Sequence, residues 1–192
     1  MDSGGLSSCN GVDGNVDGND VSALVHTQFE SNPYWDLDLG SFKHITSIRL
    51  WNRCDEPDDM ASPPDMFTRR LFPCWIIVSQ SPFPKTEGRE SLNASLHQSN
   101  AKIRISTNKR LNCWDVPKYT FGRFIRIQLE DTNFLHFSQV EVFGNERPGH
   151  GPVSSCASGK FVTAAVVGGI DDATGIETAY KRAVSADWWV IL

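Results

Sequence analysis

Between Tyr34 and Arg53 the chain reads YWDLDLGSFKHITSIRLWNR, and apolar side chains recur at every second position on both sides of its glycine. Trp35, Leu37 and Leu39 alternate with Asp36 and Asp38, while Ile48 and Leu50 fall on one face and Arg49, Trp51 and Arg53 on the other. A period of two lines up one side of a strand and scatters around a helix, so both runs are half-buried strands. CWIIVSQ, AKIRIST, RFIRIQL and SQVEVFG add four more strand-like runs. Six strands separated by turns, with no long helix between them, predict an all-β sandwich or barrel.

The connections carry turn chemistry. Residues 1–24 are rich in Gly, Asp, Asn and Ser, and CDEPDDMASPPDMFTRR is too polar to pack. A short helical turn is expected within residues 89–100. The composition divides the chain into a sandwich over residues 1–144, a linker over 145–159 and a tail over 160–192. In the tail, FVTAAVV reads as a strand, and Ile170, Ala173, Ile176, Ala179, Tyr180, Ala183 and Val184 have the spacing of an amphipathic helix. So short a tail either docks on the sandwich or opens a truncated further domain.

A chain of 192 residues is long enough for one well-buried core. Its net charge of −5 supplies no general attraction to phosphate, which argues against nucleic acid as a partner. No apolar run approaches the length of a membrane helix, and MDSGGLSSCNG has neither the basic nor the apolar part of a secretory signal. The five cysteines show no zinc spacing. Cys74 and Cys113, each before a tryptophan, are the best disulfide candidates, with two buried thiols as the equal alternative.

VDGN, then HTQFESNPYWDLDLGSFKHITSIRLWNR, RLFPCWIIVSQSPF and GRFIRIQLEDTNFLHFSQVEVFG arrive in an order that resembles the discoidin, or coagulation factor V/VIII C-domain, superfamily. Within that galactose-binding-like group they are most similar to the fucolectin-like branch of fucose-binding lectins. The resemblance covers about Asn10 to Gly144 and implies a jelly-roll β-sandwich of about eight strands with a ligand site in the loops at one end. The family begins with a strand upstream of the DGN loop. Only nine residues precede Asn10, so a truncated first strand is expected, with an edge strand from FVTAAVV as the alternative.

Fucolectin-like domains bind sugar through a His, an Arg-x-Asp about two dozen residues later and a further basic residue before a Leu. Here His26 is followed after 26 residues by Arg53-Cys54-Asp55, and the Arg before the Leu is Arg70, reached only across an expanded loop. The chemistry suits a neutral sugar independently of the family. Vicinal hydroxyls need fixed donors, which Arg53, Arg70 and a ring N–H of His26 offer, and Asp55 orients an arginine by a charge-assisted pair of hydrogen bonds. The loop before His26 carries only Val21, Leu24 and Val25 where the family often has aromatics. Trp35, after Pro33-Tyr34, is expected in the core.

The resemblance also implies a structural calcium held by Asn10, Asp13, Asn15, Ser22, Ser138 and Gln139, with Asp17 or Asp20 as substitutes. Gln139 stands where the family has a carboxylate, so weaker binding is expected. An EF-hand is excluded, because position twelve from Asp13 is Leu24. The expected function is a non-catalytic module for fucosylated or galactose-type glycans, since no hydrolase, phosphate-binding or zinc-protease motif is found. The alternatives are a protein-adhesion module and a lipid-binding one with Met60, Met66 and Phe67 as its apolar tip. The family implies an extracellular or cell-surface location, where Asn93-Ala94-Ser95 is a glycosylation sequon.

Overall fold

The computed structural model describes residues 6–57 and 60–146, and three later strands at 161–167, 177–182 and 189–191. In chain order the elements are β1 (Val25–His26), β2 (Glu30–Ser31), β3 (Tyr34–Trp51), β4 (Cys74–Ser79), α1 (Gly88–Gln98), β5 (Ala101–Ile105), β6 (Leu111–Asp115), β7 (Phe121–Leu129), β8 (Thr132–Asn133), β9 (His136–Phe137), β10 (Gln139–Glu146), β11 (Phe161–Val167), β12 (Glu177–Arg182) and β13 (Trp189–Ile191). Three 3-10 turns lie at Ser8–Val12, Val21–Ala23 and Thr68–Leu71.

The two period-two runs at the start of the chain are one bent strand. In β3, Tyr34–Asp38 pair with Gln128–Phe124 of β7, and Lys43–Trp51 pair with Glu146–Gln139 of β10. The register shifts between Asp38 and Lys43, around Gly40 at φ +74°, a backbone conformation open to glycine at little cost. The bend lets β3 serve both layers. Its first half sits in the order β12-β11-β3-β7-β4-β5, and its second half lies between β10 and β6, with β13 beyond β10. The result is an all-β jelly-roll sandwich.

Alternation along each strand fills the space between the layers. Trp35, Leu37, Leu39, Ile48, Leu50, Ile76, Val78, Ile125, Ile127, Val140 and Val142 are buried in one cluster. Trp35 is in that core as expected: its indole N–H donates to the Ser8 carbonyl at 2.9 Å, and its ring meets Phe137 edge-on at 5.2 Å. The acidic residues between the apolar ones are paired across the sheet, Asp36 with Arg126 and Asp38 with Arg123. Arg126 is fully buried and also donates to Ser91 and Ser95 of α1, stitching the helix to the outer face of the sheet. Ser95, the hydroxyl residue of the sequon, is therefore buried, while Asn93 is exposed.

Two expectations are corrected. Cys74 and Cys113 form no disulfide: Cys74 faces the core on β4, whereas Cys113 faces solvent on β6 beside the far half of β3. Glu177–Arg182 is a strand hairpinned against β11, so Ala179 and Tyr180 are not helical; in ETAYKR the β-forming Thr178 and Tyr180 fall two apart, and pairing overrides a weak helical spacing. Ile170, Ala173, Ile176, Ala183 and Val184, Cys156 and the linker from 147 onward lie outside the described residues. FVTAAVV does join the sheet beside the first half of β3, pairing Ala165–Val167 with Asp38–Asp36, but β12 pairs on its other side, so it is not the edge strand.

Candidate functional site

His26 ends the two-residue strand β1, and its Cα partner across the ladder to β9 is His136. The rings meet edge to face at 5.5 Å, and His26 also packs 5.3 Å from Phe134. Its Nδ1–H donates to the Thr27 carbonyl at 2.8 Å. In the neutral ring this leaves the lone pair on Nε2, so His26 offers a ligand an acceptor rather than the expected N–H. Burial, together with the charges of Arg53 and Arg70, holds its pKa below the ordinary histidine value and favours that neutral form.

Arg53 lies two residues beyond the end of β3 and is only 8% exposed. Asp55 grips it in a fork, Nε to Oδ1 and Nη2 to Oδ2, the second at 2.7 Å. The guanidinium lies 4.0 Å over the Phe67 ring. Cys54, between the two, donates its backbone N–H to the Gly18 carbonyl at 2.9 Å, which ties this turn to the Asp-Gly-Asn loop.

The expanded loop still delivers Arg70, because its last part is anchored from three sides. His136 Nε2–H donates to the Phe67 carbonyl at 2.8 Å, Asn52 donates to the Thr68 carbonyl at 2.9 Å and Asn108 donates to the Thr68 hydroxyl at 3.0 Å. Leu71 is buried behind the turn. Arg70 is thereby set 5.0 Å over Phe67 and 5.2 Å over Phe134. Its neighbour Arg69 pairs with Asp65 on the surface instead. His26, Arg53, Asp55 and Arg70 are thus brought to one place, and Phe67, Phe134 and His136 join them.

Phe134 and His136 did not stand out in the sequence, and Phe67 did so only as part of an apolar tip. Phe134 and His136 sit in TNFLHF, where two-residue strands carry no period, and Phe67 sits in a loop that reads as solvated. The aromatic surface missing before His26 is supplied from the opposite side. Phe67, expected at an apolar lipid-facing tip, lies beneath two guanidinium groups, which leaves Met60 as the exposed residue of that trio.

The other loop cluster gathers oxygen. Asn10 Nδ2 donates to the carbonyls of Ser22 at 3.2 Å and Leu24 at 3.0 Å, and Gly14 N–H donates to Gln139 Oε1 at 3.1 Å. Asp13 Oδ1 accepts from the Asn15 N–H at 2.7 Å, and the Asn15 amide donates to Asp20, whose other oxygen takes the Ser22 hydroxyl and N–H. Ser138 is buried next to Gln139 and donates to the Trp51 carbonyl. Two carbonyls converge on the Asn10 amide; turning that amide over adds a third oxygen, an all-oxygen arrangement that suits a hard cation such as calcium. Among the described residues no three His, Cys, Asp or Glu side chains converge, so such an ion would be held mostly by neutral oxygens.

No model of a known protein family matches the chain. Fucolectin-6 of Anguilla japonica is 26% identical over 134 residues, which are 69% of this chain and 61% of that protein. The chain therefore spans about three fifths of the length of the curated relative it matches. Among solved structures, the lectin domain of lectinolysin, in complex with Lewis B antigen, has a TM-score of 0.53 at 22% identity over 71% of this chain and 82% of that one. A fucose-binding module of Streptococcus pneumoniae has a TM-score of 0.52 at 22% identity over 71% and 84%. The f-lectin from striped bass (Morone saxatilis) serum has the same TM-score and identity over 72% and 41%.

The fold is that of these lectin and fucose-binding modules. The proteins compared are named as lectins or fucose-binding modules. The basic cluster, on the loops at one end of the sandwich, brings fixed polar groups and aromatic rings together.

Proposed function

We propose that the fucolectin-like domain is a lectin module that binds a terminal fucose- or galactose-type sugar in the cluster of His26, Arg53 and Arg70. The observation that carries the reading is their chemical complementarity around Phe134 and Phe67: His26, with Nε2 as acceptor, and Arg70 share Phe134, while Arg53 and Arg70 share Phe67. Adjacent hydroxyls of a sugar each donate and accept, and its C–H face is apolar, so this combination is what such a ligand needs. Asp55 orients Arg53 and offsets its charge, which favours a neutral ligand over an anion. Arg70 takes hydroxyl lone pairs from the opposite side, with its approach set by Phe67.

The names of the relatives support the ligand class, since they are fucolectins or fucose-binding modules. An extracellular or surface location fits the same reading, as does a structural calcium held by Asn10, Asp13, Asn15, Ser22, Ser138 and Gln139. That ion would supply no chemistry to the sugar; it would rigidify the loop that leads into β1 and His26.

Retention on immobilised fucose and galactose tests the function. His26→Ala, Arg53→Ala and Arg70→Ala are each expected to abolish retention. The His26 and Arg70 variants should keep nearly the wild-type melting temperature, because neither residue is in the core. Undiminished retention in all three would refute the reading.

A further inference from the structure

Phe29 is 61% exposed although it is one of the larger apolar side chains of the domain, and it is not isolated. Its ring packs 5.3 Å from Phe134, at a tilt of 59°. Phe134 in turn lies 5.3 Å from His26 and beneath Arg70 at 5.2 Å. Phe134 therefore touches both the polar cluster and an exposed aromatic ring.

The position of Phe29 is enforced rather than incidental. Thr27 N–H bonds the Leu135 carbonyl at 2.9 Å, and the next rungs, Glu30 with Asn133 and Ser31 with Thr132, form the β2–β8 ladder. Residues 28 and 29 arch between two fixed points, which presents the Phe29 ring outward beside Phe134. An exposed ring held this way is expensive to leave in water and adds nothing to the core, whereas a pyranose C–H face covers such a ring well.

We propose that Phe29 is the platform of a second sugar subsite, so that the domain recognises at least a disaccharide: the terminal sugar at His26, Arg53 and Arg70, and the next pyranose stacked on Phe29. This rests on the sugar-binding reading above. Phe134 touches the first position through His26 and Phe29 lies one ring further on, where a residue joined to the bound sugar would stack. Specificity for the linkage then comes from a ring outside the basic cluster.

Calorimetric titration with methyl α-L-fucoside and with the disaccharide fucosyl-α1,2-galactose tests this on wild type, Phe29→Ala and Phe29→Trp. Wild type is expected to bind the disaccharide about threefold to tenfold tighter than the monosaccharide, the range of one aromatic stacking contact. Phe29→Ala should remove that advantage and leave monosaccharide affinity within about twofold, and Phe29→Trp should keep it. An equal preference in Phe29→Ala and wild type, or no preference in wild type, overturns the second subsite while the first stands. Absence of binding to either sugar, with correct folding by circular dichroism, overturns the first site and the second with it.

Discussion

At the scale of single residues, the histidine behind the site has the larger energetic consequence. His136 is fully buried, with Nε2–H on the Phe67 carbonyl and Nδ1 without a hydrogen-bond partner among the described residues. Burial pushes its pKa down to about 3, and the charges of Arg53, His26 and Arg70 push the same way. The unfolded chain takes up this proton near the ordinary value of about 6.5, and the folded chain does not until far lower pH. Stability from His136 is thus full above pH 6.5 and is lost as the pH falls toward 3. The loss is on the order of 1.4 kcal/mol per pH unit in that window, and His26, shifted in the same direction, adds to it. Urea unfolding of wild type and His136→Gln at pH 6.5 and 4.5 should show wild type losing roughly 2–3 kcal/mol more than the variant. Parallel losses would show that His136 is not the group that titrates. Of these residues, His26, Arg53, Asp55 and Arg70 could be singled out in the sequence because they match the pattern of the fucolectin-like resemblance, Arg70 only across an inserted loop, whereas His136 could not: it is placed by a cross-strand partner 110 positions away, and nothing local marks that.

Among the elements, what matters is how a loop is docked on a strand end. Gly18 lies against the turn that follows β3: a Cβ built there would fall 2.3 Å from the Asn52 carbonyl and 3.0 Å from the Cys54 N–H. Both are backbone atoms and cannot rotate away, so the Asp-Gly-Asn loop and the Arg53-Cys54-Asp55 turn must separate to admit a methyl group. Gly18→Ala is therefore expected to cost about 1–3 kcal/mol in urea unfolding. It should also weaken sugar retention, because Arg53 moves with the turn. Unchanged stability together with unchanged retention would mean that the two loops are independent. The strands themselves were readable from their alternation; the docking was not. Period two places Leu50 inward and Arg49 outward, but it does not show that Gly40 bends two strands into one, nor that Leu111–Asp115, a short run followed by Val-Pro, pairs beside β3. Likewise α1 shows weakly in its sequence because its inward face is two serines and one leucine, and those serines are there for Arg126.

For the whole molecule, both loop clusters hang on the start of β10. Ser138 N–H bonds the Trp51 carbonyl at the end of β3, two residues before Arg53, and Gln139 reaches Gly14 of the Asp-Gly-Asn loop. A cation among Asn10, Asp13, Asn15, Ser22, Ser138 and Gln139 would therefore brace the ends of both sheets, and stability should follow its concentration by mass action. The set holds one carboxylate, Asp13, so its affinity belongs at the weak end of calcium sites, with Kd on the order of 10⁻⁴–10⁻³ M. At about 10 mM calcium this adds roughly 1–3 kcal/mol and raises the melting temperature by about 3–10 °C over the chelated protein. Gln139→Glu restores a second charge, and the calcium-dependent rise should then be reached at about tenfold lower calcium. The chelated variant should melt slightly below chelated wild type, since a carboxylate then stands buried without its counter-ion. A melting temperature indifferent to calcium in both proteins would show that the loop is held by its own hydrogen bonds alone. In that case the Gln139 amide, which already accepts the Gly14 N–H, is the native solution in this chain to the joint that an ion would otherwise make.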